Sequence, residues 1–205
     1  MRDFERAGRS PAYGRRGMAA TSHPLATLSA LELLREGANA VDAALAAAAV
    51  LAVVEPQSTG IGGDCFVLYK AAEGPLIALN GSGYAPAGAN ARALREQGAS
   101  AIGLTSAHAV TVPGAVGAWA RLAEDYGTKP LPRLLEPAAA LAEEGYPVSP
   151  RVAFDWQREA DKLAAEPAAR AAFLPEGRSP EPGETHRQPA LGQTLRLIGK
   201  DGARA

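Results

Sequence analysis

The sequence predicts an α+β fold, and three observations carry that expectation: an alanine-rich helix that Asn39 opens, a glycine turn, and two short apolar runs suited to strands. Asn39 is a good helix N-cap, and Asp42, three residues on, meets the free amides and the positive end of the helix dipole. Residues 43–54 are Ala, Val and Leu without a charge, so the helix combines high propensity with little bulk and suits close packing on a sheet. Pro56 ends it. Gly60, Gly62 and Gly63 permit positive φ and close backbone approach, after which residues 66–69 resume an apolar, β-favouring run.

The remaining elements follow in chain order. Residues 17–21 read as a short strand. Pro24 suits the first turn of a helix to Glu36, with Gly37 as its stop and Leu28, Leu31 and Leu34 as its apolar face. Glu73-Gly74-Pro75 is a turn and residues 76–79 a second strand, so the two strands form an antiparallel hairpin. Residues 80–88 are a Gly/Pro-rich loop, 92–97 a short helix, 108–112 a strand ending at Pro113-Gly114, and 114–125 a helix. Residues 131–144 form another helix with Pro137 as an irregularity. Ser149-Pro150 opens a helix through about Ala164. Residues 175–188, with prolines, glycines and charges, read as an exposed connection. Residues 189–200 form a last amphipathic helix. No repeat or interior linker interrupts the chain, so residues 1–205 are expected to form a single unit.

Composition narrows the function. The 205 residues are 47% hydrophobic but only 5% aromatic, so the core is expected to rest on contacts between small side chains. A net charge of −1 gives no electrostatic footprint for nucleic acid or an anionic membrane. Cys65 is the only cysteine, which excludes an intrachain disulfide and reads as a structural thiol. Arg2, Arg6, Arg9, Arg15 and Arg16 crowd the N-terminus, but acids intervene and no apolar segment follows, so no secretory signal is read there. The longest apolar run falls short of the roughly 20 residues that span a bilayer. A cytoplasmic protein is the expectation.

His23, His108 and His186 lack metal-ligand spacing, and no glycine run has the form of a nucleotide loop. No metal or cofactor is therefore expected. Ser82 lies between Gly81 and Gly83, whereas a nucleophile elbow needs its glycines two positions away on either side. Asp64 enters an apolar strand from the glycine turn. It reads as a structural carboxylate accepting amides of that turn, with a site role as the alternative.

An ordered series of segments carries more information than any of these residues alone. Gly17-Met18-Ala19-Ala20, Glu36-Gly37-Ala38-Asn39-Ala40-Val41-Asp42-Ala43-Ala44 and Gly60-Ile61-Gly62-Gly63 are followed by Ala85-Pro86-Ala87 and Val112-Pro113-Gly114-Ala115-Val116. Tyr126-Gly127-Thr128 and the stretch from Pro137-Ala138 to Gly145 complete the series. Together they resemble the start of the large subunit of the γ-glutamyltransferases, the threonine-type branch of the N-terminal nucleophile hydrolases. The resemblance implies a four-layer α/β/β/α sandwich, of which this chain is the large-subunit portion only.

It also implies a chemistry. Members of that family arise from a precursor that cleaves itself, and the new N-terminal threonine of the small subunit attacks an amide with its own amine as base. The acyl-enzyme is resolved by water or an acceptor amine, and an oxyanion hole stabilises the intermediates. The resemblance places that threonine beyond Ala205, so no catalytic residue is expected in this chain and the chain alone should be inactive. The implied partners are the small catalytic subunit, or the remainder of the precursor, and a small-molecule amide. Open sheet edges and uncovered apolar faces add an expectation of hetero- or homo-oligomers.

The family arginine that grips the substrate α-carboxylate falls, on this resemblance, at Ser82, just before Ala85-Pro86-Ala87. No arginine occurs between Asn80 and Ala91. A guanidinium offers a planar, bidentate, charged grip, whereas a serine offers one neutral hydroxyl. Asn80, Ser82 and Tyr84 are therefore the candidate substrate-binding residues, for a smaller or less charged acyl group; alternatively they form only a turn. Three functional readings result: a γ-glutamyl amide hydrolase or transferase acting on glutathione-type substrates, an acylase for oxamate-like or β-lactam side-chain amides, and a non-catalytic binding fragment.

Overall fold

The computed structural model of the chain describes residues 11–204; the arginines at positions 2, 6 and 9 lie outside them. The described residues build a helical core with one hairpin on its flank. In order they form α1 (Pro24–Arg35), α2 (Ala40–Val54), β1 (Cys65–Lys70), β2 (Leu76–Gly81), α3 (Ala91–Glu96), α4 (Ala115–Tyr126), α5 (Leu131–Glu144) and β3 (Tyr146–Pro147). Then come α6 (Pro150–Arg158), α7 (Ala160–Ala164), α8 (Pro167–Phe173), β4 (Thr185–His186) and α9 (Pro189–Asp201).

Helix α2 is the centre. Its residues are buried on nearly every side, and it packs against α1 and α5, with α9 on the far side of α5 and α4 bridging α2 to the hairpin. Alanine dominates the core around it, and the bulk comes from outside: Trp119, Leu134, Leu135, Tyr146, Trp156 and Leu195 are all buried. The predicted cap of α2 is present as a reciprocal box. The Asn39 side chain accepts from the Asp42 amide at 3.0 Å, and the Asp42 carboxylate accepts from the Asn39 amide at 3.1 Å. Asp42 also reaches across to the turn between α4 and α5. It accepts the Thr128 amide at 3.0 Å, the Lys129 amide at 3.3 Å and the Thr128 hydroxyl, while the Asn39 amide group donates to the Tyr126 carbonyl at 2.6 Å.

Strands β1 and β2 pair antiparallel as expected, with Phe66 opposite Asn80, Leu68 opposite Ala78 and Lys70 opposite Leu76. The inner face carries Cys65, Val67, Tyr69 and Leu79 onto the core. The outer face leaves Phe66 67% and Leu68 76% exposed.

Four expectations are corrected. The buried stripe of α1 is Ala26, Ser29, Ala30 and Leu33, not the leucine face, and Leu28 is 48% exposed. Both stripes have helical spacing, but the small one lets α1 approach α2 more closely. Residues 17–21 form no strand, because no neighbouring strand among the described residues offers a ladder. At 108–112 the Ser106 hydroxyl accepts the His108 amide at 3.2 Å and turns the chain into a 3₁₀ turn, Ala107–Ala109. The helix after Ser149 breaks at Glu159 into α6 and α7, and α8 folds back so that the Trp156 indole donates to the Phe173 carbonyl at 3.0 Å.

The connection at 175–188 is also more ordered than its composition suggests. Arg178 binds both oxygens of Glu184 at 2.8 and 2.9 Å, and β4 pairs with β3 so that His186 is buried edge-on against Trp156 and Tyr146.

Burial alone would raise the Asp42 carboxyl, but the Thr128 hydroxyl and the amides of Thr128, Asn39 and Lys129 outweigh it and hold it below the ordinary range. Its contribution is present above the unfolded value of about 3.9 and is lost as pH falls through the lower folded value. Asp42→Ala removes the acceptor of four donors and is expected to cost about 2–4 kcal/mol, read from denaturant unfolding. A loss below about 0.5 kcal/mol would show that the clamp carries no net stability.

His23 and His186 also cost stability on acidification, over a higher pH range. Burial lowers both, with the Glu55 carboxylate partly offsetting the shift at His23. Below the ordinary value of about 6.5 the unfolded chain binds protons that the folded chain resists, so stability falls as pH drops from about 7 toward 5. The double variant His23→Asn/His186→Gln is expected to flatten that slope in thermal melts, with Asn retaining an N-cap acceptor on α1; an unchanged slope would assign it to other groups.

Candidate functional site

Three segments meet at one end of the hairpin: the glycine turn entering β1, the residues leaving β2, and the residues entering α4. The Gly63 carbonyl accepts the amides of Gly114 at 3.1 Å and Ala115 at 2.9 Å, which satisfies the first free donors of α4. The Val112 amide donates to the Tyr84 carbonyl at 3.0 Å. The junction leaves no room for a side chain at Gly83 or Gly114. A Cβ on Gly83 would lie 1.5 Å from the Val112 carbonyl oxygen, and one on Gly114 would lie 2.2 Å from that of Gly81.

The candidate residues sit on this junction. Asn80 lies on β2, one step into the strand rather than in the loop, and its side-chain oxygen accepts both the Ser82 amide at 3.0 Å and the Ser82 hydroxyl at 2.7 Å. This Asx turn joins Asn80 and Ser82 into one polar unit. The Asn80 NH₂ group and the lone pairs of the Ser82 hydroxyl remain available. Tyr84 is not drawn into the unit: its ring is 87% exposed, and only its backbone is tied to Val112.

Asp64 departs from its expected role. Its side chain is exposed and accepts none of the turn amides among the described residues. Cys65 is half-buried, and burial pushes its thiol up despite a contact from Trp119, as suits a structural thiol. Among the described residues no group of His, Cys, Asp or Glu is placed to hold a metal, and no helix is long and apolar enough to cross a membrane. The contribution of Gly63, Val112 and Gly114 was missed from sequence. Its signal was the spacing Gly81-x-Gly83 together with Pro113-Gly114, two glycine sites that meet only in three dimensions.

Residues 26–205 match the family model described as gamma-glutamyltranspeptidase. The chain belongs to the gamma-glutamyltranspeptidase family. It is 40% identical over 197 residues to the oxamate amidohydrolase proenzyme of Klebsiella pneumoniae, covering 91% of this chain and 36% of that protein. It superposes on gamma-glutamyltranspeptidase from Helicobacter pylori with a TM-score of 0.89 at 32% identity, covering 95% of this chain and 57% of that one. Against cephalosporin acylase from Bacillus halodurans the TM-score is 0.84 at 40% identity, with coverage of 95% and 39%. The chain spans about a third of the length of the curated relatives it matches, such as 36% of the Klebsiella protein and 33% of a Bacillus subtilis one. These likenesses identify the fold as part of an N-terminal nucleophile hydrolase, mixed helix and sheet with 51% helix and 8% strand among the described residues.

Gly83→Ala and Gly114→Ala each force backbone apart at the junction and are expected to cost about 1–3 kcal/mol of stability. Gly88→Ala, where a Cβ meets nothing within 4 Å, is the matched control. Equal melting temperatures for all three variants would refute the close approach.

Proposed function

We propose that the complete protein containing this chain is an amide hydrolase or acyltransferase of the gamma-glutamyltranspeptidase family. Acyl transfer runs through a threonine supplied by the remainder of the precursor, and this chain supplies substrate-binding surface and no catalytic group. The preferred substrate is an amide whose acyl group is small or carries no α-carboxylate, as in oxamate or a β-lactam side chain. One observation carries that preference. Where the family resemblance calls for an arginine, Ser82 stands bonded to Asn80, and no cation occurs between Asn80 and Ala91.

A carboxylate buried against this unit would meet the Asn80 NH₂ and the lone pairs of a hydroxyl whose proton goes to Asn80, and would lose most of its hydration without a counter-charge. A neutral acyl group or a single amide oxygen is matched by the same donors and acceptors at far lower cost. The identity with proteins named oxamate amidohydrolase and cephalosporin acylase supports this reading. The family description and the fit to the Helicobacter gamma-glutamyltranspeptidase favour the second reading, γ-glutamyl amides such as glutathione.

The outer face of the hairpin supports a heterodimer or a larger oligomer. Phe66, Leu68 and Leu76 form an exposed apolar row that a partner polypeptide would cover.

Turnover by the complete protein separates the two substrate readings. Oxamate or simple acyl amides are expected to give a higher kcat/KM than a γ-glutamyl anilide; the reverse order would overturn the preference. Ser82→Arg is expected to improve kcat/KM for the γ-glutamyl anilide by about tenfold or more, chiefly through KM, because a charge-assisted hydrogen bond is worth about 1.5–3 kcal/mol. An unchanged or higher KM would remove Ser82 from the substrate pocket.

A further inference from the structure

A cavity of about 770 Å³ lies far along the chain from the hairpin, between the segment preceding α1 and the last turns of that helix. It is lined by Arg15, Arg16, Gly17, Leu31, Leu34 and Arg35. Among the described residues none of the three guanidinium groups forms an ion pair or a hydrogen bond. The nearby acids do not neutralise them. Glu32, one turn before Arg35, makes no ion pair with it, and Glu36 is committed to Arg133.

The arginines sit on a fixed support. A Cβ on Gly14 would lie 2.5 Å from the Gly17 carbonyl oxygen and 2.6 Å from the Met18 side chain, so residues 14–18 make a tight bend. One on Gly17 would lie 3.3 Å from Leu34, so the bend rests against α1. Arg15 and Arg16 therefore face the same cavity as Arg35 with an apolar floor of Leu31 and Leu34 between them.

We propose that this cavity binds a small molecule carrying two or more oxyanion groups, carboxylate or phosphate, whose apolar part rests on Leu31 and Leu34. Each guanidinium presents planar paired donors to an oxyanion, and two or three of them around one cavity select a multivalent anion over a monovalent one. The volume is that of a small-molecule site. A macromolecular polyanion would need an extended basic face, and the chain as a whole has a net charge of −1. A test of this site needs no turnover.

Isothermal titration of the full-length protein at matched ionic strength, with citrate, pyrophosphate and acetate as probes, tests it. Saturable binding of citrate, pyrophosphate or both, with none of acetate, is expected, and the comparison of the two tells carboxylate from phosphate. Arg15→Ala/Arg35→Ala should weaken that binding by at least about tenfold, and Arg15→Lys/Arg35→Lys should fall between, since lysine keeps charge but loses the bidentate fork. Arg95→Ala, an exposed arginine on α3, should leave it unchanged. Absence of saturable binding by both multivalent probes would overturn the proposal, as would equal affinity in the alanine variant. Tighter binding of duplex DNA or phosphatidylserine vesicles than of either small anion would overturn it in favour of a macromolecular surface.

Discussion

The carboxylate of Asp42 is the point on which the arrangement of helices depends. It is wholly buried and survives as an anion because amides and a hydroxyl converge on it. Three of its four donors come from a turn 86 to 87 residues away, so the same group that starts α2 also sets where α4 ends and α5 begins. A buried charge of this kind is costly unless every lone pair is used, and the cost makes the geometry specific. With α2 fixed at one end by Asp42, its other end is held by the Gln188 side chain, which donates to the Val53 carbonyl at 3.1 Å while the Gln188 backbone amide donates to Ala142 at 2.8 Å. The central helix thus joins α4, α5 and the start of α9.

The hairpin inherits its position from that frame. Helix α4 leaves the Asp42 clamp at its C-terminus, and at its N-terminus it donates two amides to Gly63. The glycine turn is therefore spent on structure. The polar unit of Asn80 and Ser82, the proposed recognition element, lies beyond the close contact of Gly81, Gly83 and Gly114. A backbone junction this tight holds its loop in one place, which is the condition for a short hydroxyl to replace a long guanidinium as a recognition element.

Local signals in the sequence were legible, and distant ones were not. Asn39 and Asp42 announce a capping box because its partners lie three residues apart; nothing in that spacing points to Thr128. The Asx pairing of Asn80 with Ser82 is likewise local, whereas the openness of Tyr84 depends on what packs around it. The predicted leucine face of α1 failed because hydrophobicity favours leucine over alanine, while an alanine-rich α2 rewards close approach. Strands β3 and β4 have two residues each and no period to detect. The family could be read because its segments are paired in space: Asn39 and Asp42 with Tyr126-Gly127-Thr128, and Gly63 with Gly114 and Ala115.

The outer face of the hairpin links the recognition unit to the rest of the proposed enzyme. Cross-strand partners share a face, and Phe66 is paired with Asn80 and Leu68 with Ala78. The apolar row is consequently continuous with the polar unit. In the proposed assembly a polypeptide that buries Phe66 and Leu68 also reaches Asn80, and its side chains form the far wall of the proposed site. In the proposed assembly, association and active-site closure are one event: the face that drives the partner to bind through apolar burial delivers it onto Asn80 and Ser82, where the nucleophile is required. The hydration that a bare Asn80–Ser82 pair keeps in this open chain is then removed on assembly, and the preference against a charged acyl group becomes stronger in the closed site than at the exposed surface.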